Sequence, residues 1–178
     1  MLAPDAWVPL GVVSRAHGVK GELRVQTFNR DSELLLHLPE VLIRSKNGDE
    51  RAYAVDQARP TNGAVLMKFR HVDGRDQADE LKGAVICARR REFPLPEDGE
   101  FYVCDVTGAR VVVEGHAAPP TEFGRVSEIK SYPSISVMVV QSADDGLWEV
   151  PLVDSIVRSV DVLRNVVTLA TLQGVERG

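Results

Sequence analysis

Two small β-barrels in tandem, an all-β fold, are what this 178-residue sequence predicts. Three observations carry the prediction. Short segments rich in β-branched residues recur along the whole length, helical stretches are few and brief, and a proline-rich interruption falls near the middle.

In the first half, strands are predicted over residues 8–16, 22–28, 41–45, 51–58, 64–69 and 85–91, several with the apolar/polar alternation of Leu23-Arg24-Val25-Gln26. Turn dipeptides separate them: His17-Gly18, Lys20-Gly21, Asn47-Gly48 and Asn62-Gly63. Asp31 is placed to cap a short helix over 32–37, and a second helix over 76–82 stops at Gly83. The second half predicts strands over 109–113, 123–131, 136–141, 147–152, 156–160 and 166–171, enough for a small closed or half-open barrel. Residues 116–121, His-Ala-Ala-Pro-Pro-Thr, read as a mobile loop between two of them.

The interruption Glu92-Phe93-Pro94-Leu95-Pro96-Glu97-Asp98-Gly99 gives a first domain over 1–92, a linker over 93–99 and a second domain over 100–178. Charge divides unevenly across it. Residues 1–92 carry 15 basic and 13 acidic side chains (+2), and residues 93–178 carry 6 and 13 (−7). The net charge of −5 and pI near 5.4 exclude a protein that coats nucleic acid by bulk charge, so any such contact is local.

No apolar run reaches the ~20 residues of a membrane helix, and Met-Leu-Ala-Pro-Asp lacks the basic start of a signal peptide, so a soluble cytoplasmic protein with no membrane partner is expected. Cys87 and Cys104 sit at no metal spacing and read as small buried hydrophobes or inert thiols. The histidines His17, His37, His71 and His116 are scattered, so no metal site is predicted. No nucleophile elbow, phosphate-cradling loop or zincin motif occurs, and Ser14, His17 and Asp31 lack the context of a triad; no catalytic residue and no cofactor are expected.

Three features remain. The first is the hairpin Gly11-Val12-Val13-Ser14-Arg15-Ala16-His17-Gly18-Val19-Lys20-Gly21-Glu22-Leu23-Arg24-Val25, where His17, Gly18 and Gly21 shape the turn and Arg15, Lys20 and Arg24 gather positive charge. The second is Arg89-Arg90-Arg91, cations suited to phosphate that a strand would split between two faces. The third is Phe101-Tyr102 after the linker, read as strand residues with one ring inward and one free to meet a partner.

These residues resemble the RimM family of ribosome maturation factors. The likeness rests on the Gly-x-Val-x-x-x-His-Gly-x-x-Gly-Glu-x-x-Val pattern of residues 11–25, on Ala78-Asp79-Glu80-Leu81-Lys82-Gly83, and on the segment 99–108. It continues through Phe123-Gly124-Arg125-Val126, Glu149-Val150-Pro151-Leu152 and Val160-Asp161. The resemblance implies a translation-factor-like N-terminal barrel and a C-terminal PRC-type barrel. It also implies a non-enzymatic assembly factor that binds the immature 30S subunit at its head, contacts small-subunit ribosomal protein number nineteen and the 16S rRNA head domain, and promotes rRNA processing. Phe101, Tyr102 and Asp105 fall on the family's subunit-binding segment, with Phe101 where Tyr is common, so a ring is kept and a hydroxyl lost. Arg15, Lys20, Arg24, Arg89, Arg90 and Arg91 are the expected RNA contacts. Residues 131–136 depart from the family's glycine-containing turn. With no heptad pattern, a monomer is expected. The alternative is a PRC-barrel adaptor in some other complex, because a shared fold does not fix function.

Overall fold

Alternation, broken only at bulges in β1 and β4, turns Val13, Leu23, Val25, Met67 and Ile86 inward and fully shields them from water, and the first six strands close on themselves. These strands are β1 (Trp7–His17), β2 (Glu22–Thr27), β3 (Glu40–Arg44), β4 (Glu50–Thr61), β5 (Ala64–Phe69) and β6 (Val85–Arg89). They form a closed barrel in the order β1-β2-β5-β4-β3-β6, with β6 pairing back onto β1. The computed structural model describes residues 2–97, 100–114 and 119–178, and divides the chain into two units, one of them Ala3–Pro94 and the other including Leu95–Gly178.

Two short helices add buried residues to the first core, Leu35 from α1 (Leu34–His37) and Ala78 from α2 (Arg75–Glu80). The expected cap on the first is corrected: Asn29 accepts the Asp31 N–H at 3.0 Å, and that turn delays the helix to Leu34, whose N–H meets the Ser32 hydroxyl at 3.4 Å. The second starts at Arg75, with Gln77 accepting the Asp73 N–H at 2.8 Å. The strand expected to run through Arg91 ends at Arg89, and Arg90–Glu92 form a 3₁₀ turn.

The β1–β2 turn is fixed by one close approach. Gly21 has φ +79°, and a Cβ there would lie 2.0 Å from the Val72 carbonyl oxygen, so only glycine lets this turn seat against the loop after β5. Gly18 in the same turn has φ +64° but open space around it.

The second unit contains α3 (Val103–Val106), β7 (Arg110–Val113), β8 (Thr121–Ser131), β9 (Ser136–Ser142) and β10 (Leu147–Pro151), followed by β11 (Val157–Asp161), β12 (Val166–Leu169) and β13 (Glu176–Arg177). They form one sheet in the order β11-β12-β7-β8-β9-β10-β13, with β12 and β7 parallel. Ile156, before β11, and Val175, before β13, belong to the same core as Val111, Met138, Val140 and Leu169, so the sheet curls toward itself while keeping two edges. Thr121 begins β8, whereas residues 116–118 of the expected loop lie outside the described residues. No described helix is long and apolar enough to cross a membrane.

Cys87 is fully buried, and burial pushes its thiol up while Arg44 opposes the shift. An acid kept protonated by burial stabilises the fold fully below its unfolded value, and that contribution is lost as pH rises past it toward the higher folded value. The urea midpoint is therefore expected to fall above about pH 8.5, and Cys87→Ala is expected to flatten that fall whatever its effect at neutral pH. In the β1–β2 turn, Gly18→Ala is expected to cost about 1–2 kcal/mol for the left-handed backbone. Gly21→Ala is expected to cost at least about 3 kcal/mol, because the clash with Val72 adds to the same strain; urea titration of both variants measures the difference.

Candidate functional site

The hairpin arginines are brought together by register. Arg15 on β1 pairs with Arg24 on β2, Arg24 with Leu66 on β5, and Leu66 with Arg59 on β4, so the four side chains share one outward row. Arg24 donates to the Asn62 carbonyl at 2.7 Å, and Arg59 is bridged to Glu22 at 2.7 Å. Arg15 and Lys20 are exposed and make no ion pair among the described residues. Like charges on directly paired strand positions are unfavourable, and an anion on that face relieves the cost. His17 faces Glu22 at the end of the same hairpin and is exposed. Arg59 was not evident in the sequence, since only the pairing of β4 with β5 places it in this row.

The three consecutive arginines do not present a bare cationic patch. Arg89 lies over the Trp7 ring at 4.4 Å and approaches Asp5 at 3.5 Å. Arg90 lies over Phe93 at 5.2 Å. Arg91 also binds Asp5, and pairs with Glu92 at 3.4 Å. The expected division between two faces of a strand is corrected: the strand ends at Arg89, and the 3₁₀ turn carries the other two.

Phe101 and Tyr102 are not strand residues either. They are half-buried residues immediately before α3, with Tyr102 extended at φ −84° and ψ 135°. The Tyr102 carbonyl accepts the Asp105 N–H at 2.9 Å, and the Val103 carbonyl accepts both the N–H and the hydroxyl of Thr107 at 3.1 and 2.9 Å. Gly108 then donates to Val126 at 2.8 Å, which ties the segment to β8. A turn wins over a strand here because its backbone groups are spent locally. Asp105 is 2 % exposed, so it is an interior residue of this turn, while Val103 stands out at 48 %.

On the outward face of the second sheet, Glu128, Val139, Glu149 and Glu176 form one row across β8, β9, β10 and β13. Lys130 reaches Glu149 at 3.0 Å and Glu128 at 3.7 Å, and the Glu149 contact raises its pKa above the ordinary lysine value. Three carboxylates against one ammonium leave this row acidic. Among the described residues no group of three His, Cys, Asp or Glu is arranged to hold a metal ion.

Replacing Asp105 by Ala is expected to destabilise the second unit by about 1–3 kcal/mol, the usual cost of disrupting a buried polar group. Hydrogen exchange is expected to accelerate at Thr107 and Ala109 and to stay unchanged in β1–β6.

The sequence profile of the RimM N-terminal domain matches residues 8–93. A ribosome maturation factor RimM from Sorangium cellulosum is 42 % identical over 169 residues, 94 % of this chain and 96 % of the relative. One from Pelobacter propionicus is 31 % identical and covers 98 % of both chains. A crystal structure from Pseudomonas aeruginosa, described as a 16S ribosomal RNA processing protein RimM, aligns with TM-score 0.47 and 23 % identity over 93 % of this chain and 98 % of its own.

Proposed function

The chain belongs to the RimM family, and from that premise we propose that it is a ribosome maturation factor acting by binding, without catalysis, on the immature 30S subunit. Full-length similarity to proteins named ribosome maturation factor carries this reading, because it spans both units and not the first barrel alone. That breadth also disfavours a PRC-barrel adaptor in an unrelated complex.

The two units divide the work by charge. Arg15, Lys20 and Arg24 meet phosphates of the 16S rRNA head domain, an anion offsetting the like charges that the register pairs at Arg15 and Arg24. Phe101 and Tyr102 supply aromatic surface to small-subunit ribosomal protein number nineteen, and the buried Asp105 holds the turn that presents them. The acidic outward row of the second sheet complements a basic ribosomal protein and aids orientation and encounter more than affinity. Tighter binding to the assembly intermediate than to the mature particle shifts the head toward its folded state and then releases the factor without a nucleotide. The protein works as a monomer in the cytoplasm, with residues 1–92 and 100–178 as its two binding domains.

Co-sedimentation with precursor and mature small subunits tests the proposal. Wild-type protein is expected to prefer the precursor, and Phe101→Ala/Tyr102→Ala to lose at least tenfold in affinity with its circular dichroism unchanged. Equal binding to both particles, or none, overturns it. Arg15→Gln/Lys20→Gln is expected to lower the slope of log affinity against log salt by about 1.5, two phosphate contacts' worth; an unchanged slope removes the hairpin from the RNA interface.

A further inference from the structure

Where β1 begins and β6 ends, a groove of about 280 Å³ is lined by Trp7, Pro39, Glu40, Arg89, Arg91 and Glu92. The function proposed above makes no use of Trp7 or Glu40. Two of its lining residues form an aromatic–cation pair, with Arg89 over the Trp7 ring at 4.4 Å. Its charged lining is mostly engaged: Arg89 and Arg91 share Asp5, and Glu92 pairs with Arg91. Glu40 differs. It is exposed at the start of β3, and its carboxylate has no ion pair or hydrogen bond among the described residues.

We infer that this groove takes an unpaired guanine base of single-stranded RNA. The base stacks on the Trp7–Arg89 pair, as unstacked RNA bases do on aromatic rings and guanidinium planes. Glu40 accepts hydrogen bonds from the guanine N1–H and N2 amino group. Guanine is the RNA base with two adjacent donors on its Watson–Crick edge, which match the two oxygens of a carboxylate. Adenine and cytosine offer one amino group there, and uracil a single N–H. Arg91, at the rim, meets the flanking phosphate in place of Asp5. A cationic peptide side chain would also suit a tryptophan beside a glutamate, but Arg89 already occupies the Trp7 ring, and a base stacks on a guanidinium plane where a second cation is repelled. The inference rests on the RNA-binding reading and adds to it the base that is read.

The chain has two tryptophans, so Trp148→Phe leaves Trp7 as the fluorescent reporter. Titration of that protein with the pentaribonucleotides UUGUU, UUAUU, UUCUU and UUUUU is expected to quench Trp7 at least tenfold more tightly for UUGUU. Glu40→Gln in the same background is expected to abolish the preference while leaving quenching by stacking. The assignment is overturned by equal affinity for all four, by a guanine preference that survives Glu40→Gln, or by tighter binding of an arginine-containing pentapeptide. Co-sedimentation with precursor subunits separates the two levels. A protein that co-sediments without preferring UUGUU loses only the groove assignment, and one that does not co-sediment loses the assignment together with the proposed function.

Discussion

The first unit depends on β1 serving two neighbours at once. Its C-terminal half pairs with β2 and its N-terminal half with β6, so one eleven-residue strand closes the barrel. Register shifts, between Val13 and Arg15 toward β2 and between Pro9 and Gly11 toward β6, let the strand bend between its partners. The shift at Val13 also decides chemistry. It puts Arg15 opposite Arg24 and Ala16 opposite the core residue Leu23, so the cations face out and the barrel stays apolar within. A slip of one residue would exchange those roles along the hairpin.

Much of this was legible in the chain itself. Ala64–Phe69 runs between the predicted limits because Asn62-Gly63 marks its start and its apolar run gives way to Arg70-His71 at its end, and the other strands of the barrel shift by only a few residues. Family membership was legible too, from motifs spread over both halves. What the sequence hid was geometry set by partners distant in the chain. Arg59 joins the row of Arg15 and Arg24 only through the pairing of β4 with β5 and β5 with β2. The aromatic pair reads as a strand by composition, yet the local bonds from Asp105 and Thr107 turn the backbone into α3. Two-residue β13 is too short for any periodicity to reveal. Arg89-Arg90-Arg91 reads as free charge because its main counter-ion, Asp5, is 86 residues from Arg91 along the chain.

The uneven charge of the two halves takes a more specific form in space. In the first unit several cations are spoken for by carboxylates, Arg59 by Glu22, Arg44 by Glu50 and Arg70 by Asp56, while Arg15 and Lys20 stay exposed without an ion pair among the described residues, as do Arg30, Lys46 and Lys82. In the second unit, one lysine serves two of the three glutamates of the outward row. Internal pairing thus sharpens a weak overall bias into local contrasts, which act within the ~8–10 Å reach of charge at physiological salt.

Leu66 is an apolar residue on the outward face, yet only 4 % exposed, flanked across its strand pairs by Arg24 and Arg59. Arginine stems laid over such a residue bury methylene groups while the guanidiniums stay in water. Their rotamers are already narrowed before any ligand arrives, Arg24 further by Asn62 and Arg59 by Glu22. A long charged side chain usually surrenders about 0.5–1.5 kcal/mol of conformational freedom when a partner immobilises it. Here much of that entropy is lost on folding, so the apolar residue beneath the cations primes a polar surface for association.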